Sequence, residues 1–380
     1  MSEVKSLYIH LPFCKKKCNY CDFVSYAGKE SLIDDYVEAL IKEIRALTRL
    51  HSGHLPLPEG EGLKTIYFGG GTPTLLSPKH FDKIISTIIS HSSLVISHSE
   101  ISLEANPGTA DKAKLKALRE LGINRLSIGA QSFNDDHLKT LGRIHDSKQI
   151  LKFYDDARSA GFENINLDLI FALPNQTLAE WQNDLKIAIS MEPDHLSTYN
   201  LQIEEGTLFA KKYKSLDDEI ELKMYEHTIE TLTASGFKHY EISNFAKPGR
   251  ECQHNIVYWK NENYLGLGAG AHSHVAGKRW ANSESVEAYI SLDPETKRLG
   301  SNKININSRN RDVQSQVPSQ SETIFMGLRL LDGIPADNFN GFEKQLSELI
   351  ENNLLMRENS HVKLTRKGLY LANEVFEQFV

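Results

Sequence analysis

The sequence predicts an α/β protein: an incomplete TIM-like barrel of six βα units, with a small winged-helix-like domain at its C-terminal end. Two observations predict the barrel. Short apolar segments alternate six times with amphipathic helical segments, which is typical of a parallel sheet covered by helices. Glycines and polar residues fall at the carboxyl ends of successive predicted strands, where a βα barrel builds its site. An open doubly wound sheet is the alternative.

The predicted elements follow one another with short connections. The strands span residues 7–11, 65–68, 100–105, 125–129, 164–170 and 195–201. The helices cover residues 32–50, a segment beginning at Ser77-Pro78, residues 111–121, short pieces up to 160, then 177–191 and 218–235. Ser31 is the predicted N-cap of the first helix, Pro78 suits the first turn of the second, and Gly122 ends the third.

Composition divides the chain into four predicted parts. Residues 1–240 form the barrel, and residues 241–290 form an extension packed on it. Residues 291–320 are polar and poor in large apolar side chains, which predicts a linker. Residues 321–380 predict a compact domain with the helix and wing order of a winged helix. Its helices lack a dense basic face, which favours packing or partner docking over DNA binding.

Charge and hydropathy are ordinary for a soluble globular protein. The chain has 380 residues and a net charge of −7, with basic residues spread along it, so we expect no nucleic-acid partner. No apolar stretch is long enough to span a bilayer, and the start MSEVKSLYIH lacks a signal-peptide pattern. These observations predict a cytoplasmic protein, either free or peripheral to the inner face of the membrane.

Three of the four cysteines lie in the segment YIHLPFCKKKCNYCDF. Cys14, Cys18 and Cys21 have the spacing C-x3-C-x2-C, which brings three thiolates onto one loop. Three ligands suit a [4Fe–4S] cluster in which one iron keeps an open position. Structural zinc needs four ligands, and no fourth cysteine or histidine lies at zinc spacing nearby. Zinc and ordinary reduced thiols remain the alternatives.

This motif, with Tyr20 before its last cysteine, resembles the radical S-adenosylmethionine superfamily. The segment Y-I-H-L-P-F-C resembles the branch that contains the oxygen-independent coproporphyrinogen III oxidases, and the resemblance covers nearly the whole chain. It implies that the open iron binds S-adenosylmethionine. It also implies ligand contacts for Tyr8, Gly70, Gly71, Thr72, Glu104, Gln131, Arg143 and Asp168.

The residue types suit those roles. Consecutive glycines, as at Gly69 to Gly71, let backbone amides approach a ligand that a Cβ atom would block. Arg143 is a candidate countercharge for the methionine carboxylate, and the candidate partner of Glu104 is a ribose hydroxyl or an arginine. Each of these polar residues taken singly is more typical of a structural role.

Within this branch the sequence resembles the HemW heme chaperones rather than the coproporphyrinogen III dehydrogenases. Phe23 stands where the dehydrogenases have a fourth cysteine, and only six residues precede Leu7 where they have a long extension. The segment H-N-I-V-Y-W, from His254 to Trp259, resembles the HNxxYW motif of the chaperones. An imidazole can ligate heme iron, so His254 is the predicted heme ligand and Cys252 its rival.

The resemblance implies a protein that binds heme and delivers it to heme-requiring acceptor proteins, membrane respiratory proteins among them, and that forms a homodimer. A coproporphyrinogen III dehydrogenase is the alternative, and a DNA-binding regulator with a redox-sensing cluster is a distant third. The glycine-rich segment 264–273 is not a dinucleotide fingerprint, because its spacing is G-x-G-x-G and no βαβ unit frames it. It predicts close backbone packing instead.

Overall fold

The computed structural model describes residues 4–49, 62–92, 99–292 and 319–380. In chain order, the elements of the first half are β1 (Ser6–Leu11), β2 (Phe13–Cys14), β3 (Tyr26–Ala27), α1 (Ile33–Arg49), β4 (Thr65–Gly70), α2 (Pro78–Ser92), β5 (Glu100–Ala105), α3 (Lys112–Glu120), β6 (Arg125–Gln131), α4 (Asp135–Leu141), α5 (Ser147–Ser159), β7 (Asn164–Phe171) and α6 (Leu178–Ser190).

The remaining elements are β8 (His195–Asn200), α7 (Asp218–Ala234), β9 (Lys238–Glu241), β10 (Asn244–Ala246), α8 (Gln253–Trp259), β11 (Leu265–Leu267), β12 (His272–Val275), β13 (Lys278–Ala281), α9 (Val286–Ser291), α10 (Ser319–Gly327), β14 (Ile334–Pro335), α11 (Glu343–Glu351), β15 (Leu355–Glu358), β16 (His361–Leu364), α12 (Arg366–Tyr370) and α13 (Ala372–Glu377). The α/β alternation that the sequence predicts is confirmed.

The chain divides into two compact units. The first consists of Met1–Asp168, Gln202–Ser215 and Asn263–Gln314, and the second of Leu169–Leu201, Leu216–Glu262 and Ser315–Val380. Most of the predicted linker, residues 293–318, lies outside the described residues. The domain boundaries stay a prediction.

The first unit contains parallel strands in the order β11-β1-β4-β5-β6, with the first part of β7 beside β6. Strand β1 pairs in parallel with both β11 and β4, β4 with β5, and β5 with β6. The strands are buried over nearly their full length, as expected when both faces of a parallel sheet are covered. Ile9, Phe68, Leu103 and Ile128 are fully buried and form the centre of this core.

Local sequence sets most helix ends. The Asp111 side chain accepts a hydrogen bond from the Lys114 backbone N–H at 2.8 Å and begins α3, and Gly122 follows that helix at φ +94. The predicted N-cap at Ser31 is wrong, because Ser31 lies inside a short 3-10 helix, Glu30–Leu32, that precedes α1. Strand β11 is a further difference, since the predicted set of six strands does not include it.

The second unit contains β8, β10 and β9, which pair antiparallel in that order, and a separate three-stranded sheet, β14-β16-β15. Trp181 of α6 is fully buried and donates from Nε1 to Thr228 Oγ1 of α7 at 2.8 Å. The C-terminal segment has its own apolar core, which includes Leu328, Phe339, Val362, Val375 and Phe379. Its likeness to a winged helix stays a prediction. None of the described helices has the length and apolar character needed to cross a bilayer.

Candidate metal centre and cofactor site

The three clustered cysteines lie on the loop that follows β1 in the first unit. Cys14 is buried at the end of β2, whereas Cys18 and Cys21 are partly exposed, and all three are free thiols. Asn19 holds the middle of the loop, because its backbone N–H donates to Leu141 O at 2.9 Å and its side chain donates to Thr140 O at 2.8 Å. The loop is therefore fixed at its centre, and Cys18 and Cys21 remain partly exposed.

Two of the sulfurs accept hydrogen bonds from predicted ligand residues. Thr72 Oγ1 lies 3.6 Å from Cys14 Sγ, and Arg143 Nη1 lies 3.3 Å from Cys18 Sγ. Asn106 joins the two donors, since its Nδ2 donates to Thr72 Oγ1 at 2.8 Å and its Oδ1 accepts from Arg143 Nη2. Such donors favour the thiolate form that binds metal. Asn106 was not among the residues predicted from the sequence, although the L-E-A-N-P segment that contains Glu104 also contains Asn106.

Gly71 lies against the cysteine loop. A Cβ atom on Gly71 would come within 2.6 Å of Phe13 O, 2.9 Å of Phe13 N and 3.0 Å of Cys14 Sγ. The Gly71 N–H donates to Leu11 O at 3.0 Å, and the Thr72 N–H donates to Phe13 O at 2.7 Å. The glycine run thus packs backbone to backbone against the segment that carries Cys14.

The donor set fits an iron–sulfur cluster better than a single ion. Within the described ranges, no three His, Cys, Asp or Glu side chains converge closely enough to hold one metal ion. Zinc needs four ligands around one point, whereas the three ligated irons of a cubane cluster are separate atoms, so its cysteines need not converge. Burial raises the pKa of the Cys14 and Cys21 thiols, so binding of iron would release protons from them.

Glu104 is held at the end of β5 by two donors. Its carboxylate accepts from Tyr67 OH and from the Gly70 backbone N–H, both at 3.0 Å. Burial, with the nearby charge of Asp168, raises the pKa of Glu104 from 4.5 to about 7. Gly69 makes this approach possible, because a Cβ there would lie 2.9 Å from Glu104 Oε1.

The raised pKa of Glu104 predicts a pH-dependent stability. Between pH 4.5 and about 7 the folded protein holds this proton while the unfolded chain releases it, so stability falls as the pH rises through that window. The Glu104→Gln variant lacks this titration. We therefore expect the difference in unfolding free energy, variant minus wild type, to increase by roughly 3 kcal/mol from pH 4.5 to pH 8. Urea denaturation at the two pH values measures it. A pH-independent difference between the two proteins would contradict the assignment.

Tyr8 takes part in a second hydrogen-bond chain on β1. His10 Nε2 lies 2.8 Å from Val24 O, a carbonyl that can only accept, so this nitrogen carries the proton. His10 Nδ1 therefore accepts from Tyr8 OH at 3.0 Å. The imidazole also lies under Gly70, where a Cβ would come within 2.6 Å of the ring. His10 links the end of the cysteine loop to the glycine run, a role that the sequence predictions missed.

The two remaining predicted residues of this unit lie on neighbouring strands. Gln131 ends β6 at φ +71 and is buried. A Cβ on Gly129 would lie 2.9 Å from Gln131 Nε2 and 3.0 Å from Arg143 Nη2, which shows that both side chains approach the same glycine. Asp168, on β7, accepts from Ser127 Oγ at 3.0 Å. Gln131 thus lies at the carboxyl end of β6, whereas Asp168 is the fifth of the eight residues of β7.

The predicted heme ligand belongs to the second unit. His254 is 1% exposed on α8, and its Nε2 lies 2.8 Å from Tyr258 OH. Cys252, its rival, is fully buried just before the helix, and its backbone N–H donates to Tyr240 OH at 3.3 Å. Both candidate ligands are therefore covered by protein.

The predicted close packing of the glycine-rich segment is confirmed in the first unit. A Cβ on Gly266 would lie 2.0 Å from His272 O, and one on Gly268 would lie 2.5 Å from His10 O. Gly270 packs on Val24, with 2.9 Å to its side chain. The segment supports the cysteine loop from the side of β11.

Two family profiles match the chain. The profile of the radical SAM superfamily matches residues 8–188, and that of the HemN C-terminal domain matches residues 320–371. The chain is 39% identical to the heme chaperone HemW of Bacillus subtilis, over 99% of each chain. It is 35% identical to HemW of Lactococcus lactis, over 100% of this chain and 98% of that one.

The chain belongs to the family of HemW heme chaperones. HemW of Escherichia coli is a further member, at 35% identity over 99% of this chain. Among solved structures, coproporphyrinogen III oxidase HemN of Escherichia coli has a TM-score of 0.79 and 24% identity, and the match covers 100% of this chain and 90% of that one. This likeness confirms the α/β fold with a parallel sheet.

Proposed function

We propose that the protein binds a [4Fe–4S] cluster, S-adenosylmethionine and heme, and delivers heme to acceptor proteins. The observation that best supports cluster binding is a pair of hydrogen bonds: Thr72 donates to Cys14 Sγ, and Arg143 donates to Cys18 Sγ. Cys14, Cys18 and Cys21 would each bind one iron, and the open iron would supply a chelation position for a small molecule.

S-adenosylmethionine is the ligand proposed for the carboxyl ends of the strands. Arg143 is the one predicted cation of the set and suits the methionine carboxylate, while it also orients Cys18 through Nη1. Gly70 and Gly71 let the glycine run pack closely on His10 and on the segment that carries Cys14. Glu104 offers carboxylate oxygens to hydroxyl groups. Tyr8, Thr72, Gln131 and Asp168 complete the proposed contacts.

Heme is proposed to bind at the HNxxYW segment in the second unit. Because His254 Nε2 is engaged with Tyr258 OH, axial ligation through that atom requires the tyrosine to move away. The neighbouring aromatic rings of Tyr258 and Trp259 offer flat area for a porphyrin. The relatives named as heme chaperones share the whole length of the chain, which supports the same role here.

Heme titration of the reduced, cluster-loaded protein tests this function. We expect the wild type to bind heme and not to convert coproporphyrinogen III to protoporphyrinogen IX. The His254→Ala variant should lose affinity or change its Soret spectrum, since the axial imidazole is removed. The Cys252→Ala variant, measured alongside, should retain the wild-type spectrum.

Two results would contradict the proposal. A change in heme affinity or Soret spectrum in Cys252→Ala alone would show that the Cys252 thiol, and not His254, ligates the heme iron. Efficient decarboxylation of coproporphyrinogen III by the wild type would show that the protein is a dehydrogenase instead of a chaperone.

The heme acceptors are proposed to be heme-requiring proteins, with membrane respiratory proteins as the first to be assayed. A homodimer is proposed as the assembly.

A further inference from the structure

Arg329 lies over the ring of Trp259, the last residue of the HNxxYW segment. Its guanidinium carbon is 4.4 Å from the Trp259 ring centroid and 6.0 Å from that of Phe376. All three residues belong to the second unit. A guanidinium placed flat on an aromatic ring is held in one orientation and keeps its hydrogen-bonding edge free for another group.

Two donors at this place form no hydrogen bond with the described residues. Arg329 Nε is buried without a partner, and so is Trp259 Nε1 beside it. Glu241 is a buried carboxylate whose raised pKa the charge of Arg329 partly offsets. Its Oε1 accepts from Asn244 Nδ2 and from the Ser243 N–H at 3.1 Å, and its Oε2 is buried without a hydrogen-bond partner. No described carboxylate forms an ion pair with Arg329. Buried donors that lose water and gain no hydrogen bond cost free energy, so a ligand that accepts from them would stabilise the site.

The chemistry of the missing group follows from the donor. An arginine fork matches a carboxylate, which accepts two parallel N–H hydrogen bonds. Heme carries two propionate carboxylates on a flat apolar ring. Along α8, Trp259 lies about 7.5 Å beyond His254, at 1.5 Å per residue. One end of the helix thus offers a candidate iron ligand, and the other an arginine that forms no hydrogen bond with the described residues.

We propose that Arg329 binds a propionate carboxylate of the heme held at the HNxxYW segment. This inference rests on the proposed heme-binding function and adds a subsite to it. Arg329 acts as a specificity-determining residue, because it distinguishes a tetrapyrrole with free carboxylates from a neutral one.

The test compares heme with heme dimethyl ester, in which both propionates are neutral. The wild type is expected to bind heme roughly tenfold or more tightly than the ester, as for hydrogen bonds to a charged group. The Arg329→Gln variant should bind heme and the ester with similar affinity, near that of the wild type for the ester. The Arg329→Lys variant keeps the charge without the fork and should retain part of the preference.

Arg366→Gln is the matched control, because Arg366 belongs to the same unit but pairs on the surface with Glu230 at 3.1 Å. It should keep the full preference for heme. Equal weakening of heme and ester in Arg329→Gln would assign Arg329 a structural role beside Glu241 and overturn the subsite. An undiminished preference in that variant, or none in the wild type, would do the same. Failure of the wild type to bind either ligand would overturn the heme-binding function as well.

Discussion

Replacing Cys18 by serine is expected to remove most of the iron and sulfide from the reconstituted protein. The serine hydroxyl keeps an acceptor for Arg143 Nη1, which donates to Cys18 Sγ at 3.3 Å, so the local hydrogen bond survives while the thiolate ligand is lost. Cys14→Ala and Cys21→Ala should lose the cluster for the same reason. Iron and sulfide analysis with visible absorption spectroscopy measures the outcome.

Cys252→Ala is the control for this experiment. Cys252 is the fourth cysteine of the chain, fully buried in the second unit, and its removal should leave cluster content unchanged. The substitution removes a buried sulfur atom and leaves a small cavity, which lowers stability modestly. Full cluster occupancy in Cys18→Ser would exclude the three-cysteine assignment, and loss of the cluster in Cys252→Ala would place a ligand outside the loop.

The second large effect is expected from Gly71→Ala. The added Cβ would meet the backbone oxygen of Phe13 at 2.6 Å and the sulfur of Cys14 at 3.0 Å. Backbone atoms of a buried strand cannot move aside cheaply, so we expect a loss of about 2 kcal/mol or more in unfolding free energy. Because the displaced atoms carry Cys14, cluster content should fall together with stability. Urea denaturation and iron analysis on the same preparation follow both quantities.

Gly206→Ala separates this contact from the general effect of replacing a glycine. Gly206 is in the same unit, its φ is +90, and nothing lies within 4 Å of an added Cβ. The substitution costs backbone strain of order 1 kcal/mol and should leave the cluster in place. If Gly71→Ala retained full cluster content at wild-type stability, the close packing of the glycine run on the cysteine loop would not be required.

The clearest sequence predictions concern features that neighbouring residues determine. The six predicted strands are present, because runs such as 100–105 combine apolar burial with flanking turn residues, and Asp111 caps its helix through its own side chain. Ser31 failed as a cap because the preceding turn tightens into a 3-10 helix. Strand β11 has three residues, too short for any periodicity to identify it.

The candidate site shows the same division. Sequence alone determined the cysteine spacing, the glycine run and the identity of the acidic and basic candidate residues, since motif chemistry depends on residue type and local spacing. Only the tertiary structure decided that Asn106 joins Thr72 to Arg143, and that His10 connects Tyr8 to Val24. It also decided that Arg329 lies over Trp259, 70 positions away in the chain. Such contacts depend on how distant segments pack, and no local pattern encodes them.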